Sequence, residues 1–175
     1  MANTFRIKVD DADVRAAFGR LNGALNNPSA IHAQIAELLL PQTKDRFAKG
    51  VSPDGQRWLP KSLATIEAQR RGDGKKRNKT TDTRPLFGPS KRLSNEIVSF
   101  HSQDVAAVGS NMIYAAVQQI GARKGAFGTN KRGSPIPWGN IPARPFLGLG
   151  RQDSNQIVSV LDSWLQRIIA GNARA

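Results

Sequence analysis

The chain has 175 residues, with 26 Lys and Arg residues against 13 Asp and Glu residues, and a formal net charge of +13. It contains no Cys, which excludes a disulfide framework, a thiolate zinc site and a Cys nucleophile. No stretch approaches the roughly 18 consecutive apolar residues of a membrane-spanning helix, and residues 1–10 lack the apolar core of a signal peptide. We therefore expect a soluble protein that has a length typical of one domain and is cytosolic when it is made.

The N-terminal part of the sequence predicts a short strand and then a helix. Residues 4–10 alternate apolar and polar side chains, as in a half-buried strand. Asp11 or Asp13 can then cap a helix that ends at residues 26–28. The apolar positions of this helix follow helical spacing and are Val14, Ala17, Phe18, Leu21 and Leu25.

A second helix is predicted to begin at Ser29. Its apolar positions are Ile31, Ile35, Leu38 and Leu39. Pro41 cannot donate a backbone hydrogen bond, so it should kink this helix or start a new turn at Gln42. The segment should end after Phe47 at Gly50, a typical C-terminal cap.

The middle of the chain is dominated by two long loops, at about 50–90 and 122–140. The first contains one short predicted helix, at Leu63 to Arg71. Between the loops, residues 93–100 and 105–110 have the composition of two strands joined by a turn. A short helical run follows at Ile113 to Ile120.

The C-terminal part combines an extended segment with a helix. Pro142 and Pro145 forbid helix and favour extended backbone over residues 141–149. Ser154 should cap a helix with the apolar stripe Ile157, Val160, Leu161, Trp164, Leu165 and Ile168. The predicted fold class is α+β, with a small, mostly antiparallel sheet packed against about three helices and two long basic loops. The predicted core residues are Leu21, Leu38, Val108, Phe146, Leu161 and Trp164.

The positive charge is concentrated in the loops. Residues 70–92 hold nine basic and two acidic residues, and residues 105–152 hold six basic residues and no acidic one. A block of like charge resists compaction and favours a solvated loop, which by itself aids solubility. It can equally attract nucleic acid or an acidic protein surface. Composition leaves these alternatives open.

Aromatic side chains in loops either fill the core of the protein or anchor a partner. For Phe146, between Pro145 and Leu147, we favour the core, whereas Phe127 and Trp138 lie in a Gly-rich basic loop. The hypothetical partner-binding residues combine the loop cations with these two aromatic residues. They are Arg70, Arg71, Lys75, Lys76, Arg77, Lys79, Phe127, Lys131, Arg132 and Trp138.

The sequence offers no set of residues for catalysis. His32 and His101 are the only histidines, and neither has the spacing of a metal site. The run from Gly72 to Lys76 lacks both the leading Gly and the Ser or Thr of a phosphate-binding loop. We therefore expect a protein that is not an enzyme and binds no metal or cofactor.

Four segments occur in an order that identifies a family. They are Ser52-Pro53-Asp54-Gly55-Gln56-Arg57-Trp58-Leu59-Pro60, Leu93-Ser94-Asn95-Glu96-Ile97, Tyr114-Ala115-Ala116-Val117-Gln118-Gln119-Ile120-Gly121 and Ile141-Pro142-Ala143-Arg144-Pro145-Phe146-Leu147-Gly148-Leu149. Over roughly Phe5 to Trp164 the chain resembles the phage virion morphogenesis family, the tail-completion proteins of Mu-like and related tailed phages. Residues 88–93 replace the Thr-Gly-Arg-Leu-like turn that is usual in this family.

The resemblance implies a structural protein of the virion neck that completes the tail, joins it to the head, or both. Residues 1–175 would form a single tail-completion-like domain, assembled in the host cytoplasm into a homo-oligomeric ring, with six-fold symmetry as the expectation. Implied partners are the tail tube or tail terminator and the head-completion or connector proteins. DNA contact is compatible with this role but not required. The alternative is a basic nucleic-acid-binding protein near the head–tail DNA channel.

Overall fold

The computed structural model describes residues 10–72 and 79–171. Within these ranges the helices are α1 (Ala12–Asn26), α2 (Ser29–Lys49), α3 (Leu63–Arg71), α4 (Arg92–Asn95), α5 (Ala115–Ile120) and α6 (Arg151–Ile169), and the strands are β1 (Ile97–His101) and β2 (Ala106–Ser110). The two strands pair antiparallel, and three of the helices are long, so the predicted α+β class is confirmed. The strand predicted over residues 4–10 lies outside the described residues, except for Asp10.

The long helix α2 is the centre of the fold. It packs against both strands and against α6, and α1 packs against α6. A small apolar cluster joins these helices and consists of Ile31, Trp164 and Ile168, with Leu21 partly buried beside them. Because the three helices share this cluster, the helical side of the molecule is held together by few side chains.

The ends of α1 and α2 are close to the predicted ones. Asp11 precedes α1, but its carboxylate binds the side chain of Arg15 at 2.7 Å instead of capping a backbone amide. The helix α2 runs through Pro41 without interruption, so no new element begins at Gln42. It ends at Gly50, whose φ of 69° lies in the left-handed region that favours glycine.

One face of the sheet packs against α2, and the other face is exposed. Ile97 is buried and Val108 packs partly buried against the core, whereas Val98 and Phe100 alternate with them and are exposed. The prediction of a strand from residue 93 is wrong, because residues 92–95 form a helical turn that buries Leu93. The strand begins only at Ile97.

The start of α6 also differs from its prediction. The helix begins at Arg151 and not after Ser154, because the carboxylate of Asp153 accepts the backbone N–H of Gly150 at 2.6 Å. Ser154 donates its hydroxyl to the Gly150 carbonyl oxygen instead of capping the helix. The acidic side chain in the first turn thus takes the capping role.

The main core lies on the sheet side of α2. Its buried residues are Phe47, Trp58, Phe87, Leu93, Ile97, Ala115 and Phe146. The rings of Phe47 and Phe146 lie with centroids 5.1 Å apart, and Trp58 meets Phe47 edge-on at 5.7 Å. Aromatic residues from two loops therefore complete the core.

The predicted core is confirmed for Phe146 and Trp164 and is only approximate for the other four residues. Leu21, Val108 and Leu161 are half-buried at the margins of the two clusters, and Leu38 is half-buried outside them. Two small clusters on either side of one helix leave many of their marginal residues in contact with water.

The Phe146→Ala substitution should lower the free energy of unfolding by ~3–5 kcal/mol, because it removes a fully buried ring from the centre of the main cluster. Urea unfolding followed by circular dichroism measures this loss. Phe100→Ala, at a position 61% exposed, is the matched control and should cost under ~0.5 kcal/mol. Equal losses for the two variants would contradict the assignment of the core.

Candidate partner-binding site

The extended segment 142–150 is held by side chains of other elements. The side-chain oxygen of Gln119 accepts the N–H groups of Phe146 and Leu147 at 2.9 and 3.0 Å, and its Nε2 donates to the Leu147 carbonyl at 2.8 Å. The indole N–H of Trp58 donates to the Pro145 carbonyl at 2.8 Å. In a sheet, a neighbouring strand would bind these backbone N–H and C=O groups. Here side chains bind them instead.

Arg46 fixes the same segment from α2. Its Nη1 donates to the carbonyl oxygens of Phe146 and Gly148, both at 2.9 Å, and its Nη2 binds the carboxylate of Asp153. The two side chains are only 7% and 9% exposed. The ion pair therefore ties α2 to the extended segment and to the first turn of α6.

Two of the four segments that carry the family resemblance meet at this place. Pro53, in the turn before Trp58, packs against Gly148 and Gly150 at the end of the extended segment. A Cβ atom at Gly150 would overlap the carbonyl group of Pro53, so only glycine fits there. The strings around residues 52–60 and 141–149 form one structural unit.

Arg144 connects the extended segment to the part of the chain that leads into α3. Its guanidinium is buried and donates from Nε to the Leu59 carbonyl at 2.9 Å and from Nη2 to the Pro60 carbonyl at 3.0 Å. Burial lowers the pKa of the guanidinium from its usual value. The chain that leads into α3 is thus fixed to the extended segment at Leu59 and Pro60.

A cleft separates α3 from the rest of the molecule. It consists of two depressions of about 710 and 690 Å³, and the residues that line both are Thr65, Gln69, Ser90, Arg92 and Tyr114. We call it the α3 cleft. None of the α3 residues is buried, so this helix covers the cleft without joining the core.

Lys61 connects α3, which forms the outer wall of the cleft, to the loop that contains Asp82 and Phe87. Its ammonium group donates to the side-chain oxygen of Gln69 at 2.8 Å and to the carbonyl oxygens of Asp82 and Phe87. Burial lowers the pKa of Lys61, and the charge of Asp82 opposes that shift. The pKa of Asp82 falls to about 2, mainly through hydrogen bonds from the Arg84 side chain.

The structure brings the two predicted basic loops together. Gly72, which follows α3 in the first loop, and Trp138, from the second loop, line the same depression. Trp138 is 74% exposed. Two stretches that are far apart in the sequence therefore border one cleft.

The other predicted partner-binding residues are distributed around this region. Arg70 and Arg71 end α3, where Arg71 pairs with Glu67 at 3.7 Å, and Lys79 is exposed. Lys75, Lys76 and Arg77 lie outside the described residues. Three more are exposed in the second loop and do not line the cleft, namely Phe127, Lys131 and Arg132.

The exposure of Phe127 and Trp138 bears on whether these loop aromatic residues fill the core or are free to contact a partner. Phe127 is 56% exposed although its N–H donates to the Ile136 carbonyl at 2.7 Å, which orders the loop around it. Neither aromatic ring fills the core. Both remain candidates for partner contact.

Several residues of the site could not have been found by local patterns. Arg46 and Gln119 lie on helices and bind backbone groups 27 to 102 residues away in the sequence, and Asp153 pairs with the Arg46 side chain across 107 residues. Arg92 and Tyr114 become cleft residues only when the chain folds around α4 and α5. Arg144, in the Pro-rich string, and Trp138, in the second basic loop, lie in segments that the sequence did single out.

Within residues 10–72 and 79–171, no cluster of three or more His, Cys, Asp or Glu side chains has the arrangement of a metal site. His32 pairs through Nδ1 with the Ser102 carbonyl at 2.9 Å. None of the helices in this described part is both long enough and apolar enough to cross a membrane.

Comparison with known proteins reveals clear relatives. The sequence profile of the phage virion morphogenesis family matches residues 9–166. The protein named "Putative capsid assembly protein G" of Escherichia phage Mu is 30% identical over 168 residues, which cover 92% of this chain and 94% of the Mu protein. "Mu-like prophage FluMu G protein 2" of Haemophilus influenzae is 35% identical over 80 residues, which cover 46% of this chain and 51% of that protein. No solved structure matches the chain.

The Lys61→Met substitution keeps the aliphatic stem and removes the ammonium group that three oxygen atoms share. Hydrogen bonds from charged donors contribute ~1.5–3 kcal/mol each, so the backbone amides of α3 should exchange with solvent about tenfold faster or more. Hydrogen-exchange mass spectrometry measures this rate. The amides of β1 should not change, and Lys44→Met, on the exposed side of α2, should leave α3 unaffected. Unchanged exchange of α3 in Lys61→Met would contradict this attachment.

Proposed function

The chain belongs to the phage virion morphogenesis family, and on this premise we propose that it is a structural protein of the virion neck that completes the tail, joins the tail to the head, or both. The observation that supports this role most strongly is the meeting of two basic loops at one cleft. Loops of this kind are suited to docking, because they place charge and exposed aromatic surface on a fixed frame. The name of the Mu relative, which refers to capsid assembly, agrees with an assembly role.

The exposed apolar surface supports assembly with several neighbours. Val14 and Phe18 lie on the apolar stripe of α1 beyond the part that packs on α6, and Phe18 is 66% exposed. Ile113, before α5, is 96% exposed. Val14 and Phe18 are neighbours on one face of α1, and contiguous exposed apolar residues are typical of interaction sites.

In this proposal the subunits form a homo-oligomeric ring around the tail axis, with six-fold symmetry. A ring requires each subunit to present one surface to one neighbour and a different surface to the next. The tail tube or terminator would lie on one side of the ring, and the head-completion or connector proteins on the other. The protein would act by binding alone, without catalysis.

The second candidate function is nucleic-acid binding near the head–tail channel, and the charge of the first loop favours it. Residues 70–92 hold nine basic residues against two acidic ones. A loop that neutralises phosphates gives an affinity that falls steeply with salt concentration. The two functions predict different effects of the same substitutions.

Phages that lack the gene should accumulate DNA-filled heads and separate tails, and the wild-type gene supplied in trans should restore joined particles. The variant Lys75→Ala/Lys76→Ala/Arg77→Ala/Lys79→Ala should lower the yield of infectious particles at least tenfold, because it removes most of the charge of the first loop. Electron microscopy and plaque titration measure both results. The matched control removes four exposed cations elsewhere, at Arg15, Lys44, Lys49 and Arg151, and should complement fully.

The DNA affinity of the purified variants separates the two candidates. For a structural joint, the affinity of the loop variant and of the control should be equally weak. For a DNA-binding protein, only the loop variant should lose affinity and show a smaller salt slope. Infectious particles in normal yield from phages that lack the gene would contradict the proposed role.

A further inference from the structure

We propose that the α3 cleft binds an extended peptide segment that carries carboxylate groups and belongs to another virion protein. This inference rests on the assembly role proposed above and names the kind of partner surface that the role requires. Three features support it, namely the shape of the cleft, the apolar character of its walls and the sign of its charge.

The shape of the cleft suits a short chain segment. Each of its depressions, of about 710 and 690 Å³, falls within the roughly 300–1,000 Å³ of ligand sites. Its outer wall, α3, has no buried residue and is fastened mainly through Lys61 and a backbone bond from Thr80 to Gln69. A wall with so few attachments can adjust to a bound segment without any change in the core.

The walls of the cleft are apolar and carry side-chain amides. The apolar residues of the first depression include Leu59, Leu86, Leu93, Ile141 and Pro142. Gln118 and Asn140 lie among them, and side-chain amides can pair with the N–H and C=O groups of an extended chain. A cleft that offers both apolar surface and hydrogen-bonding groups can therefore receive the side chains and the backbone of an extended peptide.

The charge of the cleft selects an acidic segment. Lys61, Arg92 and Arg144 line it, and no Asp or Glu is among the described lining residues. The nearest acids of the same region, Glu67 and Asp82, pair with Arg71 and Arg84.

The three cations differ in what they can still bind. Lys61 and Arg144 donate to uncharged oxygen atoms, so their positive charge is not neutralised by these bonds. Arg92 is exposed and forms no ion pair with any described residue. Its planar guanidinium can bind a carboxylate through two parallel hydrogen bonds.

A peptide fits these observations better than a nucleic acid. A site for single-stranded nucleic acid needs successive aromatic platforms along a charged groove. The first depression is lined by aliphatic and polar side chains, and of its two aromatic residues Phe87 is buried in the core. Tyr114 and Trp138 stand together only in the second depression.

The test places a photo-crosslinking residue, benzoylphenylalanine, at Tyr114, which borders both depressions and is 41% exposed. The variant is supplied to phages that lack the gene, and assembled particles are irradiated. Mass spectrometry should find the crosslink in a segment of another virion protein that carries Asp or Glu. The same residue at Val158, exposed on α6 and outside the cleft, should give a different product or none.

Two further variants test the charge and the space of the cleft. Arg92→Glu should reduce the crosslinked product at least tenfold, and changing the acids of the identified segment to Lys should restore it. Ala68→Trp, which fills the cleft from α3, should have the same effect as Arg92→Glu. The matched controls Arg151→Glu and Ala48→Trp, both at exposed positions outside the cleft, should crosslink as the parent does.

The outcomes separate this inference from the proposed function. Crosslinks to nucleic acid, to a second copy of the chain, to a segment without acids, or to nothing would overturn the peptide assignment. Full complementation by Arg92→Glu and Ala68→Trp in phages that need the gene would also overturn it, while leaving the assembly role intact. Infectious particles without the gene would instead overturn the assembly role, whatever the crosslink shows.

Discussion

The arrangement of this protein depends on one buried guanidinium. Arg46 joins three parts of the chain at one point, because it binds the Phe146 and Gly148 carbonyls and the Asp153 carboxylate at once. Removing two charges from water costs several kcal/mol, and the pair can persist only with nearly all its hydrogen bonds satisfied. Here the Gly150 N–H supplies the additional donor to the carboxylate.

A series of hydrogen bonds leads from Arg46 to the surface of the molecule. The extended segment, fixed at Phe146, presents Arg144 to the Leu59 and Pro60 carbonyls, and Lys61 follows directly in the chain and fastens α3. Burial therefore decreases from the hydrogen-bonded pair of Arg46 and Asp153 to α3, a helix without buried residues. Such a gradient is compatible with the proposed binding at the α3 cleft, since segments that bind partners are often drawn from the less stable parts of a structure.

Periodicity and proline chemistry predicted much of the fold but little of the cleft. The long helices follow from their apolar spacing, and the burial of Phe146 follows from a proline-bounded string. The predicted start of β1 is wrong because a tertiary contact, the burial of Leu93, decides it. The predicted start of α6 is wrong because a local bond between residues three apart, from the Gly150 N–H to the Asp153 carboxylate, caps the helix earlier than Ser154. The meeting of Trp138 with Gly72, and the role of Arg46, depend on contacts between distant segments that no local pattern contains.

A double-mutant cycle between Arg46 and Asp153 tests most directly whether this pair holds the frame. Arg46→Met and Asp153→Asn should each lower the free energy of unfolding by ~3–5 kcal/mol, because each leaves a buried charge without its partner. The double variant should lose at least ~2 kcal/mol less than the sum of the two single losses. Losses that add within ~0.5 kcal/mol would show that the two side chains act independently, and would contradict the central place given to this ion pair.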